Sequence, residues 1–254
     1  MTEIERDELL KSEPQAEKFI RPFMMSKDFI DRKPRYCLWL VNAMPHELAK
    51  MPRVMARVEA VKRFRLTSKK AATNKKAETP TLFDERVESL TDYIAIPKTS
   101  SENRFYIPID YLSKDIIPGD ALRILQSASL YHFGILTSHV HMAWMRAVCG
   151  RLEMRYSYSN TIVYNNFPWP SPSENQREKI EQTAQEILNA RALYPDSSFA
   201  ELYDDLLMPT ELRKAHRAND EMVYSAYDFK KDITEDEIVA NLMEIYQQLV
   251  KNNK

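Results

Sequence analysis

The sequence predicts an α+β fold, a mixed region of short strands and helices followed by a small all-helical region. Three observations predict it. Short apolar runs at 36–41, 93–96, 105–109 and 122–125 are bounded or separated by Pro97, Pro108 and Pro118-Gly119, the punctuation of strands. Apolar residues recur at helical spacing within 45–76 and 130–148. Beyond the multi-proline stretch 168–172, three further helical patterns fill the chain.

Taken in order, residues 1–34 are polar and punctuated by Pro14, Pro22 and Pro34, and read as a linker and lead-in segment. The run 36–41 (YCLWLV) is aromatic-rich and reads as a buried strand. From 45 to 76 a helix is expected to start near His46 or Pro52, with Val54, Val58, Val61 and Phe64 or Leu66 on one face and a basic loop after Thr67. Three strand-like runs follow, then a mostly buried helix over 130–148 and a strand near Tyr156. In the last region, helices are expected over 174–193, 209–227 and 234–251, with Ser173 and Thr234 as N-caps. Ile180, Ala184, Ile187, Leu188 and Ala190 share one face of the first, as in a small helical bundle. The expected units are 1–34, 35–170 and 171–254.

Composition narrows the function classes. No run of about 18 apolar residues occurs, so no membrane-spanning helix is expected. The polar, acidic start MTEIERDELLKSEP is not a secretory signal. Cys37 and Cys149 lie far apart without metal-ligand spacing, which fits two apolar thiols in a reducing cytoplasm and no metal site. The three glycines, Gly119, Gly134 and Gly150, form no phosphate-cradling loop. Charge is unevenly placed: residues 50–76 carry ten Lys/Arg against the single acid Glu59, whereas 171–254 carry ten Lys/Arg against seventeen Asp/Glu. A basic stretch almost without acids for intrahelical pairing points to a polyanion.

No nucleophile–base constellation stands out, and no catalytic residue is expected. His139 and His141 are two apart, not four, so His132, His139 and His141 read as core or polar-satisfied histidines. Asp204-Asp205 and Pro195-Asp196 lack the further Glu-x-Lys of a nuclease. Trp39, Trp144 and Trp169 read as core. Tyr156 and Tyr158 suit either phosphate contact or the core. The segment Asn165-Asn166-Phe167-Pro168-Trp169-Pro170 superficially suggests the Asn-Pro-Pro-aromatic motif that holds a flipped base, but Phe167 and Trp169 break it.

Several blocks resemble, in order, the target-recognition domain and following region of MmeI-like adenine-specific DNA methyltransferases of restriction–modification systems: 17–43 (EKFIRPFMMSKDFIDRKPRYCLWLVNA), 51–83, 96–109 (IPKTSSENRFYIPI), 130–159 and 156–170. The resemblance implies a double-stranded DNA-reading module. Its parent enzyme methylates adenine N6 with S-adenosylmethionine, and its methyltransferase domain or subunit lies outside this chain, which itself holds no cofactor. That Met1 leads directly into sequence resembling the middle of such proteins suggests an expressed fragment or a split subunit. Glu153 and Arg155, if extended, project from one face; family members vary a polar pair here that tracks one base pair. Carboxylate to cytosine N4 and guanidinium to guanine would read a G·C pair. Lys98 and Asp120 fall where a second such pair lies, and Ser157 where a further reading residue lies. Arg57, Lys62, Arg63, Arg65, Lys69, Lys70 and Arg104 are the expected phosphate contacts. The alternative from another class is a structural module that docks on a methyltransferase domain without reading DNA.

Overall fold

The computed structural model describes residues 1–252. The chain opens with α1 (Glu3–Ser12), capped by Thr2, then β1 (Ile20–Met24), α2 (Ser26–Ile30) and β2 (Arg35–Leu38). The expected linker 1–34 is thus folded, with Leu9, Ala16, Phe19 and Phe29 buried. After α3 (Pro45–Leu48) comes the basic helix, α4 (Pro52–Leu66), followed by α5 (Ala71–Lys75). Helix α4 begins at a proline, whose missing N–H costs nothing at a first helical position. The buried Glu13 carboxylate accepts the next two free amides, Arg53 N–H at 2.6 Å and Val54 N–H at 3.1 Å. An anion at that end of a helix also suits its dipole. Leu9, Phe19, Leu40, Leu48, Met51, Val54 and Val58 form a small core beneath this helix.

Next come β3 (Tyr93–Pro97), β4 (Thr99–Ser100), β5 (Asp110–Leu112), β6 (Ile117–Pro118) and β7 (Leu122–Gln126). Helices α6 (Leu130–Leu136) and α7 (His139–Val148) lead into the hairpin β8 (Gly150–Leu152) and β9 (Arg155–Ser157). Three small sheets result, ordered β2-β1-β6, β5-β3-β7 and β4-β9-β8. A π-helical turn, Asn160–Tyr164, precedes α8 (Glu174–Ala192), α9 (Phe199–Leu202), α10 (Thr210–Ala226) and α11 (Glu235–Asn252).

Other expected elements change as well, the strand expected over 36–41 spanning Arg35–Leu38. The run 105–109 is not a strand: Pro108 lacks a ladder donor, and Tyr106 O–H instead donates to Asp220 Oδ2 at 2.5 Å. The strand starts at Asp110. The expected helix 130–148 breaks in two because Thr137 Oγ1 donates back to Phe133 O (2.7 Å) while Ser138 Oγ caps the next helix by accepting His141 N–H (3.3 Å).

The main core runs without interruption from Met24 and Phe29 through β3, α6 and α7 into α8, α10 and α11. Gly134 allows α6 to approach α8 closely: a Cβ there would lie 2.7 Å from Ile180 Cγ2, and Asn219 Nδ2 donates to the Gly134 carbonyl at 2.8 Å. The C-terminal helices are therefore the other half of the core against which the small sheets rest.

A polar cluster completes that junction. Asp220 Oδ1 accepts His139 N–H (2.7 Å), His139 Nδ1 meets Tyr224 Oη (2.6 Å), and Arg146 donates to both oxygens of Glu235 at 2.7 Å. Burial raises the Asp220 carboxyl to about 6, whereas His139 and Arg146 pull Glu235 down to about 2. Glu235 has a depressed folded pKa, so its contribution is present above the ordinary carboxylate range and is lost as pH falls through about 2. Glu235→Gln is expected to cost about 1–2 kcal/mol at pH 7, after discounting for solvent screening. In denaturant titrations the gap to the parent should close as pH falls from about 4.5 towards 2. A pH-independent gap would show that the pairing is not electrostatic.

Candidate nucleic-acid interface

The β8–β9 hairpin is closed by a two-residue turn, Glu153-Met154, because Leu152 pairs with Arg155. Glu153 takes a positive φ of 57°, a left-handed conformation rare outside glycine. Glu153 is therefore not extended, as expected from sequence, but sits in the turn. The turn still brings the two side chains together: Arg155 Nη2 donates to Glu153 Oε2 at 2.7 Å, with Glu153 76% and Arg155 47% exposed. Met154 shares the exposed tip.

Along β9 the side chains alternate. Tyr156 is buried on one face while Arg155 and Ser157 turn to the other. Tyr158, just beyond the strand, is also buried, its hydroxyl meeting His141 Nε2 at 3.1 Å. Burial holds His141 neutral, its pKa near about 3. Tyr156 donates to Glu102 O at 3.3 Å, and Arg151 lies 4.2 Å over its ring. Both tyrosines thus anchor the hairpin, and the stacking of Arg151 on Tyr156 carried no sequence signal.

Lys98 links this hairpin to the Asp120 loop through its backbone. Its N–H donates to Ala121 O (2.9 Å) and its carbonyl accepts Tyr158 N–H (2.8 Å), while Thr99 pairs with Ser157. Ser26 Oγ also donates to Ala121 O, pinning the loop next to exposed Asp120. Gly119 beside it is closely packed: a Cβ there would displace the side-chain ends of Met25 (Sδ) and Phe23 (Cζ, 2.9 Å). Backbone hydrogen bonds thus link the segments that carry Asp120, Lys98, Ser157, Arg155 and Glu153.

The expected phosphate contacts divide. Lys62, Arg63, Lys69 and Lys70 are exposed and join no ion pair among the described residues. Arg57 is half-exposed, with Glu5 3.7 Å away. Arg65 is spent internally: its guanidinium donates to the carbonyls of Lys76, Thr79 and Leu82 at 2.9, 2.9 and 2.7 Å and so holds the segment after α5. Arg104 is partly buried against Ser100 Oγ (3.3 Å), its Nε is without a partner, and burial lowers its pKa. Charge counting along the sequence cannot separate these cases, because each depends on which carbonyls the fold brings near.

The 165–170 segment is structural. Asn166 Nδ2 donates to the carbonyls of Thr161 (2.8 Å) and Ile162 (3.1 Å), Phe167 is buried, and the Pro168 carbonyl accepts Tyr227 O–H (2.8 Å). Trp144 donates to Val163 O at 2.9 Å from within the core. Among the described residues no three His, Cys, Asp or Glu side chains converge as metal ligands would, and no helix is long and apolar enough to cross a membrane.

Comparison with known proteins identifies the family. The family model described as the MmeI target recognition domain matches residues 1–171, and that of the MmeI C-terminal domain matches 172–253. "DNA methyltransferase A" of Bacillus subtilis (strain 168) is 36% identical over 238 residues, covering 94% of this chain and 27% of that protein. A solved structure of the Type IIL restriction-modification enzyme MmeI in complex with DNA is 44% identical, with a TM-score of 0.96, covering 99% of this chain and 34% of that one. The chain therefore spans about a third or less of these relatives' lengths. Matched over nearly its whole length by these two models, it belongs to the MmeI family, as a target recognition domain followed by a C-terminal domain.

Proposed function

We propose that this chain reads double-stranded DNA sequence for a site-specific adenine-N6 methyltransferase of the restriction–modification type. The observation that carries the reading is the exposed Glu153–Arg155 pair at the tip of a hairpin whose backbone is bonded to the segments carrying Lys98 and, through it, Asp120. A carboxylate and a guanidinium side by side match the donor and acceptor edges of one G·C pair, and Lys98 with Asp120 offers the same chemistry again. Lys62, Arg63, Lys69 and Lys70 are the phosphate contacts, with Arg57 at their margin. Arg65 orders the loop that follows them, and Arg104 supports the loop preceding Phe105. Base flipping, S-adenosylmethionine binding and methyl transfer are assigned, by the resemblance, to the methyltransferase domain or subunit of the parent enzyme. The unpaired thiols Cys37 and Cys149 suit the cytoplasm, where such an enzyme meets its DNA.

The test is anisotropy of labelled duplexes over a range of salt. Binding should weaken steeply, and Lys69→Ala with Lys70→Ala should lower the slope of log affinity against log salt by roughly 2, equally for all sequences. Arg65→Ala should instead lower thermal stability. Binding that ignores salt, or none with the catalytic part restored, would favour the docking-module alternative.

A further inference from the structure

The β8–β9 hairpin has two unlike faces. Its register sets Gly150 opposite Ser157, Arg151 opposite Tyr156 and Leu152 opposite Arg155. Residues directly opposite share a face, and successive residues alternate. The face of Arg151 and Tyr156 is closed: Tyr156 is buried, Arg151 lies over its ring, and Arg151 Nη1 donates to Met154 O at 3.2 Å. These contacts hold the turn from behind. The face of Leu152, Arg155 and Ser157 is open, with Thr99 of β4 opposite Ser157. Leu152 is 51% exposed beside Arg155, and Met154 in the turn is 69% exposed. Among the described residues neither side chain joins any of the buried apolar clusters. Gly150 leaves the face low, since a Cβ there would come only to within 3.8 Å of Ser157 Cβ. Strand β8 is also the edge of its sheet, where charged side chains are the usual protection. Here the edge position across from Arg155 is a leucine.

Two apolar side chains flanking a carboxylate–guanidinium pair match one target. Glu153 and Arg155 suit the polar edge of a G·C pair, and the apolar group that a major groove presents beside such an edge is the C5-methyl of thymine. We propose that Leu152 and Met154 form a methyl-reading site. They take the 5-methyl group of a pyrimidine, thymine or 5-methylcytosine, in a base pair flanking the one assigned to Glu153 and Arg155. The inference rests on the proposed base-reading role of this hairpin and adds a neighbouring base pair to what it reads. A methyl placed against these side chains leaves water together with them, and that gain falls only on bases that carry the methyl. Because Arg151 and Tyr156 hold the turn from the closed face, the tip needs little ordering on contact. Two merely solvated side chains would confer no such preference.

The test starts from the site that the full chain, with the catalytic part present, selects from a randomised duplex library. Competition anisotropy then compares thymine with deoxyuridine, and 5-methylcytosine with cytosine, in each pair flanking the position that depends on Glu153 and Arg155. At one flank, removing the methyl should weaken binding about three- to fivefold, the worth of one buried methyl group. A gain for thymine over deoxyuridine alone assigns the site to thymine, and a gain for 5-methylcytosine over cytosine alone assigns it to the modified base. Leu152→Ser with Met154→Ser should erase the methyl preference and keep the preference for the G·C pair. Indifference to the methyl at both flanks in the unsubstituted protein overturns the proposal while the G·C preference still stands, and that comparison requires no variant to fold. A methyl preference that persists in the folded double variant overturns it as well. A selection showing no base preference that depends on Glu153 and Arg155 removes the base-reading role itself, and this inference with it.

Discussion

Replacing Arg191 with methionine is expected to destabilise this protein by about 3–5 kcal/mol, the usual cost of removing one partner from a buried charged network. Arg191 is 4% exposed and lies near the end of α8. Its Nη1 donates to the Ile109 carbonyl at 2.8 Å and lies 3.3 Å from Asp110 Oδ1, while Nε donates to Tyr203 Oη at 2.7 Å. The guanidinium also stands over the rings of Phe133, Phe199 and Tyr203, at 5.0 to 5.3 Å. Methionine fills much of the volume but donates nothing. Burial already raises the Asp110 carboxyl, and Arg191 is the largest influence holding it down. Without that cation the carboxyl must take up a proton or remain an unpaired buried charge. A thermal melt should show a drop of roughly 10 °C or more. Adding Asp110→Asn should recover part of the loss, since it removes the charge left behind. A loss below about 1 kcal/mol would show that water replaces the guanidinium and that β5 is not tied to the C-terminal helices through this residue.

That network explains what sequence reading reached and what it did not. The helices beyond residue 172 were legible because their apolar faces repeat at the helical period and Ser173 and Thr234 mark their starts. Their purpose was not, because Arg191 reads as one charge on an acidic surface until the fold places it under Ile109. The multi-proline stretch looks like a boundary, yet the core on its two sides is continuous, and Tyr227 ties Pro168 to α10. Likewise the basic stretch was legible as a charge excess, but Arg65 is consumed by three carbonyls while Lys69 and Lys70 remain at the surface. Glu153 and Arg155 were singled out by resemblance. Their adjacency comes from a left-handed turn at a glutamate, for which no local residue pattern is a signal.

The most informative functional change inverts that pair. Glu153→Lys combined with Arg155→Asp should exchange the preference at one base pair, from guanine on one strand to guanine on the other. Each good contact to a base edge discriminates by about 1–3 kcal/mol, so selected duplexes should differ roughly 10- to 100-fold between the two proteins at that position. The fold should survive, because both side chains are largely exposed and their mutual ion pair is worth about 0–1 kcal/mol. The tip stays closed through the Leu152–Arg155 pairing, and the buried Tyr156 beneath it is untouched. Single changes carry the argument further. Glu153→Lys alone sets two cations over one base pair and should weaken the preferred site without creating a new one, whereas Lys70→Ala should weaken every site alike. Selection from a randomised duplex library, at one salt concentration and with the catalytic part present, separates these outcomes. If the double variant binds with retained affinity and an unchanged consensus, the pair is only a surface ion pair and the reading of sequence lies elsewhere, with Lys98, Asp120 and Ser157 the next to be exchanged.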